Sequence, residues 1–221
     1  MPSVFLVIFM STNVHSQKDP RWYFGPYLGA SYSMIRSEGP ATDFSVATVP
    51  APYVGIDVLF RMTEGLYLES GWGFFQPAFL MQYKDETLTT SKIRMRCFPL
   101  RIKSIIRVGR RHGLMAAFGM VYDPISIFGN SSYNITGSNY RFDLSHSSSN
   151  GILLSPSLGL VLGGTKQYRH EIEAQGFIGN GHVMQGHAYY FNEPENSRTF
   201  YSKGRTWAIR YRFCFGLNRK K

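Results

Sequence analysis

Trp207-Ala208-Ile209-Arg210-Tyr211-Arg212-Phe213-Cys214-Phe215-Gly216-Leu217 alternates almost without error. Trp207, Ile209, Tyr211, Phe213, Phe215 and Leu217 share one face of the strand that this period of two predicts. Thr206, Ala208, Arg210, Arg212, Cys214 and Gly216 share the other. In a soluble sheet the aromatic face turns to the core and the arginines to water. In a membrane barrel the aromatic face meets lipid and the arginines enter the lumen. The rest of the chain decides between the two.

Seven further strands with the same alternation precede it. They run Trp22–Ser33, Tyr53–Met62, from Leu66 through Phe74, Ile93–Val108, Leu114 to about Phe128, Ile152–Leu162 and Tyr168–Ile178. In Tyr53–Met62, Val54, Ile56, Val58, Phe60 and Met62 oppose Tyr53, Gly55, Asp57, Leu59 and Arg61. In Ile93–Val108 the phase slips above Cys97, and Pro99 nearby, which cannot donate to a ladder, predicts a bulge there. Short turns at 63–65, 109–113 and 163–167 alternate with long polar connections at 34–49, 84–91, 129–150 and 181–204, read as loops. Even strand number, crossings of about ten residues and alternating short and long connections predict an all-β fold: an eight-stranded antiparallel up-and-down transmembrane β-barrel.

Composition agrees. Of 221 residues 17% are charged and 15% aromatic, with a mean hydropathy of −0.18. Soluble proteins carry about 25% charge, and a barrel averages its lipid and lumen faces. The net charge of +10 is spread with no compact basic tract, which argues against nucleic acid and for outer-membrane lipid and lipopolysaccharide as partners. The apolar run Val4–Met10, followed by Val14-His15-Ser16, reads as a signal peptide over 1–16 with cleavage after Ser16, leaving a barrel domain over 17–221.

With apolar faces outward, parity assigns the lumen Asp57, Glu69, Asp123, Glu171 and Glu173 among acids. It assigns Arg61, Arg101, Lys103, Arg107, Arg169, Arg210 and Arg212 among bases. An eight-stranded barrel has room only for side chains inside. These charges are therefore expected to pair with one another and form a structural plug rather than a pore. The reverse orientation, a lipocalin-like barrel, has to place Trp22, Trp72 and Trp207 in its core.

Arg96-Cys97-Phe98-Pro99-Leu100-Arg101-Ile102-Lys103, the glycine-containing strand Leu114–Tyr122, the Ser16-Gln17 junction and the closing aromatic strand resemble the PorT-like outer-membrane β-barrel domain family of Bacteroidota. The resemblance implies an exported, small outer-membrane barrel and no common activity. The family's barrels usually end on an aromatic residue, whereas Phe215 is followed by six more residues.

Candidate chemistry is sparse. His146 and Ser148 have the His-x-Ser spacing of outer-membrane lipid A deacylases, but Asn150 falls one residue late and the next glutamates are Glu171 and Glu173. Alternation sends His170 to the opposite face from both glutamates, which disfavours a shared metal. His182 and His187 have no partner spacing. Cys97 and Cys214 are placed at opposite strand ends, so no disulfide is expected. The sequence thus predicts no cofactor, no metal and no catalytic residue. The expected function is a structural or binding barrel, with envelope proteins or surface glycans reached through 129–150 and 181–204. A narrow porin or ligand-binding barrel and a lipid A-modifying hydrolase are the alternatives.

Overall fold

The structure, a computed structural model, describes residues 20–76, 78–84, 86–92, 95–109, 111–122, 130–134, 139–146, 151–164, 167–179, 184–202 and 205–217. The expected signal segment lies outside them. The strands are β1 (Trp22–Ser33), β2 (Arg36–Glu38), β3 (Phe44–Val49), β4 (Ala51–Thr63), β5 (Leu66–Phe75), β6 (Ala78–Tyr83), β7 (Glu86–Lys92), β8 (Met95–Val108), β9 (His112–Tyr122), β10 (Asn130–Asn134), β11 (Tyr140–His146), β12 (Ile152–Leu154), β13 (Ser157–Gly164), β14 (Tyr168–Gly179), β15 (Met184–Tyr190), β16 (Glu193–Ser202) and β17 (Thr206–Leu217).

A closed antiparallel barrel of eight strands forms from β1, β4, β5, β8, β9, β12 with β13, β14 and β17. The first and last strands seal it: Leu28 faces Tyr211 and Ala30 faces Ile209. On its other side β17 pairs with β14, placing Glu171 opposite Arg212 and Glu173 opposite Arg210. The sequence expected one strand over Ile152–Leu162; it is interrupted at Ser155 and Pro156, where proline offers no N–H. The wall stays bonded there. Ser155 N–H donates to Gly119 O at 2.9 Å, and Gly176 N–H donates to Pro156 O at 2.8 Å.

The bulge expected near Pro99 is absent. On β5, Leu100 faces Ser70 and Cys97 faces Gly73, with no shift between them. On β9, Pro99 faces Val121 in the same unbroken register. The apparent slip arises because Met95 and Cys97 are apolar residues turned into the lumen, while Arg96 is turned out.

The outer wall is apolar. Leu28, Val54, Ile56, Leu100, Ile102, Phe118, Leu158, Leu160 and Ile209 are all exposed on it. Trp22, Trp72 and Trp207 are 49%, 48% and 53% exposed, so none supplies the core that a soluble lipocalin-like barrel needs. From Trp22 to Tyr32 is ten residues along β1. At ~3.3 Å per residue and a tilt of ~40° this spans about 25 Å, the height of a membrane barrel's apolar band.

The long connections read as loops contain strands. β3, β6 and β7 form a three-stranded sheet; β10, β11, β15, β16 and β2 form a five-stranded one. The two share a core of Phe44, Phe79, Met81, Phe142, Ala188 and Phe200, with Tyr83, Tyr140 and Tyr190 packed against it. β3, β6, β11, β15 and β16 each bury at least one apolar residue in this core, enough when two sheets cover each other. This extension stands at the end opposite the short turns, and Met34 N–H donating to Arg205 O at 2.8 Å ties it to the barrel.

Candidate functional site

The lumen is layered. At mid-height, inward positions on five strands supply Asp57 (β4), Glu69 (β5), Arg101 and Lys103 (β8), Glu171 and Glu173 with Arg169 (β14), and Arg210 and Arg212 (β17), all buried. Arg210 Nη1 lies 2.9 Å from Asp57 Oδ2, and its Nη2 lies 3.0 Å from Glu69 Oε1 and 2.8 Å from Glu173 Oε2. Arg212 reaches Glu69 Oε2 at 2.7 Å, Asp57 Oδ2 at 2.8 Å and Glu173 Oε2 at 2.9 Å. Arg101 pairs with Glu69 and, through Nη1 at 2.8 Å, with Glu173 Oε1. Lys103 Nζ holds Glu171 Oε2 at 2.7 Å and Glu69 Oε2 at 3.1 Å. Arg169 Nε meets Glu171 Oε1 at 2.8 Å. These contacts join strands that are not neighbours in the wall: β17 to β4 and β5, and β8 to β14. The charged side chains therefore cross the lumen.

Glycines make room for them. Gly29 stands opposite Arg210, Gly119 opposite Arg101, Gly159 opposite Glu173 and Gly71 opposite Asp57. A Cβ at Gly29 falls 2.1 Å from Ile209 O, and one at Gly119 falls 2.2 Å from Leu100 O. At these points neighbouring backbones approach more closely than any side chain allows. Gly55 and Gly73 form another facing pair, and the Tyr27 hydroxyl lies over both.

Below the charges, towards the short turns, Tyr23, Leu59, Tyr67 and Cys214 form an apolar layer. The Arg169 guanidinium sits between the Tyr23 and Tyr67 rings, 4.6 and 4.5 Å from their centroids, a cation–π arrangement. Above the charges lie Tyr27, Tyr53, Phe75, Met95, Cys97, Val121, Leu153 and Phe177. Tyr53 donates its hydroxyl to Gln175 Oε1 at 3.1 Å, and Gln175 Nε2 donates to Ser155 Oγ at 2.7 Å.

Of the twelve residues assigned to the lumen by parity, nine meet in this network. Arg61 is half-buried near the end of β4, Arg107 is exposed at the end of β8, and Asp123 lies outside the described residues. Parity extends past the barrel's end, where an inward-phased side chain reaches water. The facing glycines were missed; a glycine at an inward position of one strand, in register with an inward charge of the next, is the signal that finds them. Cys97 and Cys214 form no disulfide and lie in separate layers. His146 pairs through its backbone with Met184, while Ser148, Asn150 and His182 lie outside the described residues. His187 is exposed between Gln185 and Thr199. The outward His170 hydrogen-bonds Tyr211, its Nδ1 2.6 Å from the hydroxyl. Among the described residues no three His, Cys, Asp or Glu side chains gather as metal ligands.

A closed eight-stranded barrel with an apolar outer wall, aromatic residues near both rims and ion pairs filling its interior is an outer-membrane β-barrel. No protein-family model and no curated protein matches the sequence. Among solved structures, the outer membrane protein OprG of Pseudomonas aeruginosa is similar over 90% of this chain and 97% of its own, at 9% identity and a TM-score of 0.56. The N-terminal β-barrel domain of OprF from the same organism matches over 89% and 99% of the two chains, at 10% identity and a TM-score of 0.41. The outer membrane protease OmpT of Escherichia coli matches over 94% and 100%, at 10% identity and a TM-score of 0.41. The likeness to OprG is one of fold, and with the lipid-facing wall it places this chain in the outer membrane.

Proposed function

We propose that this chain is a non-enzymatic, PorT-like outer-membrane barrel of Bacteroidota, plugged by its own side chains, which serves a structural or binding role. One observation carries the reading: Arg210 reaches Asp57 and Glu69 on strands that are not its neighbours, and Arg101 reaches Glu173 in the same way. Ions or solutes have to break several of these buried pairs to pass. The extension carries the binding role, presenting strands from the 129–150 and 181–204 connections to envelope proteins, surface glycans or lipopolysaccharide. Loops and extensions on a rigid scaffold are where recognition usually sits.

Planar-bilayer recording tests the plug. The folded barrel, identified by its heat-modifiable gel mobility, is expected to give no steady conductance. A reproducible conductance from the wild-type protein overturns the plugged reading in favour of a narrow porin.

A further inference from the structure

Among the described residues the structure sorts charge unevenly. The lumen network holds five bases and four acids. The outer connections hold seven Lys or Arg and six Asp or Glu. Both are close to neutral. On the side of the short turns the balance differs. Among the described residues there, Arg21, Arg107, Arg111 and His112 are exposed and Arg61 is half-buried, against the single acid Glu64.

We propose that this basic rim binds anionic phospholipid headgroups in the inner leaflet of the outer membrane. Its depth selects that partner. Arg21 adjoins Trp22, and Arg61 lies between Phe60 and the exposed Met62. Arg107 lies between Ile106 and Val108, which are 58% and 55% exposed. The cations thus start where the lipid-facing wall ends, at the level of headgroup phosphates. The connections are too short to project further: Glu64 and Gly65 suffice between β4 and β5, and 109–111 between β8 and β9. The near-neutral outer connections leave lipopolysaccharide phosphates less attracted than the overall charge implies. This site stands apart from the closed lumen, because lipid retention and conductance are read separately.

The test is native mass spectrometry of the folded barrel with equal amounts of phosphatidylglycerol and phosphatidylcholine, and of the variant Arg21→Ser/Arg107→Ser/Arg111→Ser. Each cation near an anionic surface contributes about fivefold, so the triple variant is expected to lower the phosphatidylglycerol preference on the order of a hundredfold. The Arg→Lys triple variant should keep it, and Arg96→Ser/Arg205→Ser, on the outer side, should leave it unchanged. Heat-modifiable mobility confirms that each variant is folded. If the serine variant does not fold, wild-type retention in raised salt replaces it, and the preference has to collapse there. No preference in the wild type, equal loss in the outer-side variant, or stronger retention of lipid A or a peptidoglycan fragment by the rim overturns the proposal.

Discussion

Glu69→Gln is the sharpest test of the charged layer, because Glu69 touches four cations. Its carboxylate takes Arg101 Nε at 2.9 Å, Arg212 Nη1 at 2.7 Å, Arg210 Nη2 at 3.0 Å and Lys103 Nζ at 3.1 Å. Gln has the same shape but no charge, so five buried bases would face three acids. Removing one partner of a buried pair costs about 3–5 kcal/mol, mostly from the charge left uncompensated. Gln keeps an accepting oxygen, which puts the expected loss near the low end, about 3 kcal/mol. At a urea dependence of about 2 kcal/mol per molar, the unfolding midpoint falls by about 1.5 M. The assay is urea unfolding from lipid vesicles, read by the fraction retaining folded gel mobility. Glu69→Gln/Arg212→Met removes one of the stranded cations and is expected to be more stable than the sum of the two single losses predicts. An unchanged midpoint in Glu69→Gln, or additive losses in the double variant, refutes the reasoning.

Gly29→Ala forces a Cβ to within 2.1 Å of Ile209 O, so the β1–β17 seam has to open. A loss of about 1–3 kcal/mol in the same assay is expected. Alanine at Gly109, which has φ +78° and nothing within 4 Å of an added Cβ, should cost only about 1–2 kcal/mol of backbone strain, and Asn there less. Phe142→Ala empties part of the extension's core. It should make the extension protease-sensitive while the barrel keeps its heat-modifiable mobility; loss of both together refutes separate packing. In the extension, burial and then hydrogen bonds to Tyr83 and Asp43 push the Tyr190 phenol above the usual tyrosine range, and burial raises Tyr140. A raised acid binds its proton more tightly when folded. The stabilisation is therefore complete below pH ~10 and is lost as pH rises beyond it. Limited proteolysis across pH 8–12 should show the extension opening at alkaline pH; Tyr190→Phe, which has no proton to lose and cannot donate the 2.7 Å bond to Asp43, should be more open already at pH 8 and change less across the range.

The barrel was legible because its information is periodic. Ile209, Tyr211 and Phe213 against Arg210 and Arg212 give orientation as well as strand type, and β1 and β17 match their expected spans almost residue for residue. Three things were less legible. Met95 and Cys97 break the polar-inside rule because the upper lumen is apolar, which imitates a phase slip. The extension was hidden because residues such as Phe142 and Phe200 are isolated apolar positions in polar text; only the other sheet shows what they pack against. The pairing inside the lumen depends on side-chain reach across non-neighbouring strands, which no one-dimensional pattern records.

The charged layer also answers how this barrel keeps its register. In water, a one-residue slip exposes an apolar face. In lipid, an apolar strand slips at little cost, because hydrocarbon accepts either face. A slip of β17 becomes costly when it turns Arg210 and Arg212 outward, at roughly 2–4 kcal/mol for each near the bilayer midplane. Well-packed apolar side chains in the lumen could match the network in stability, but they could not penalise that slip. The five strands that carry the layer's charges are keyed in this way. β1, β9 and β13 carry none of those charges, yet each contributes a facing glycine: Gly29 to Arg210, Gly119 to Arg101 and Gly159 to Glu173. Slip any of the three and a bulkier neighbour meets the close backbone approach that only glycine permits. Every strand of the barrel is thus held in register at the same level, by a charge or by the glycine that faces one.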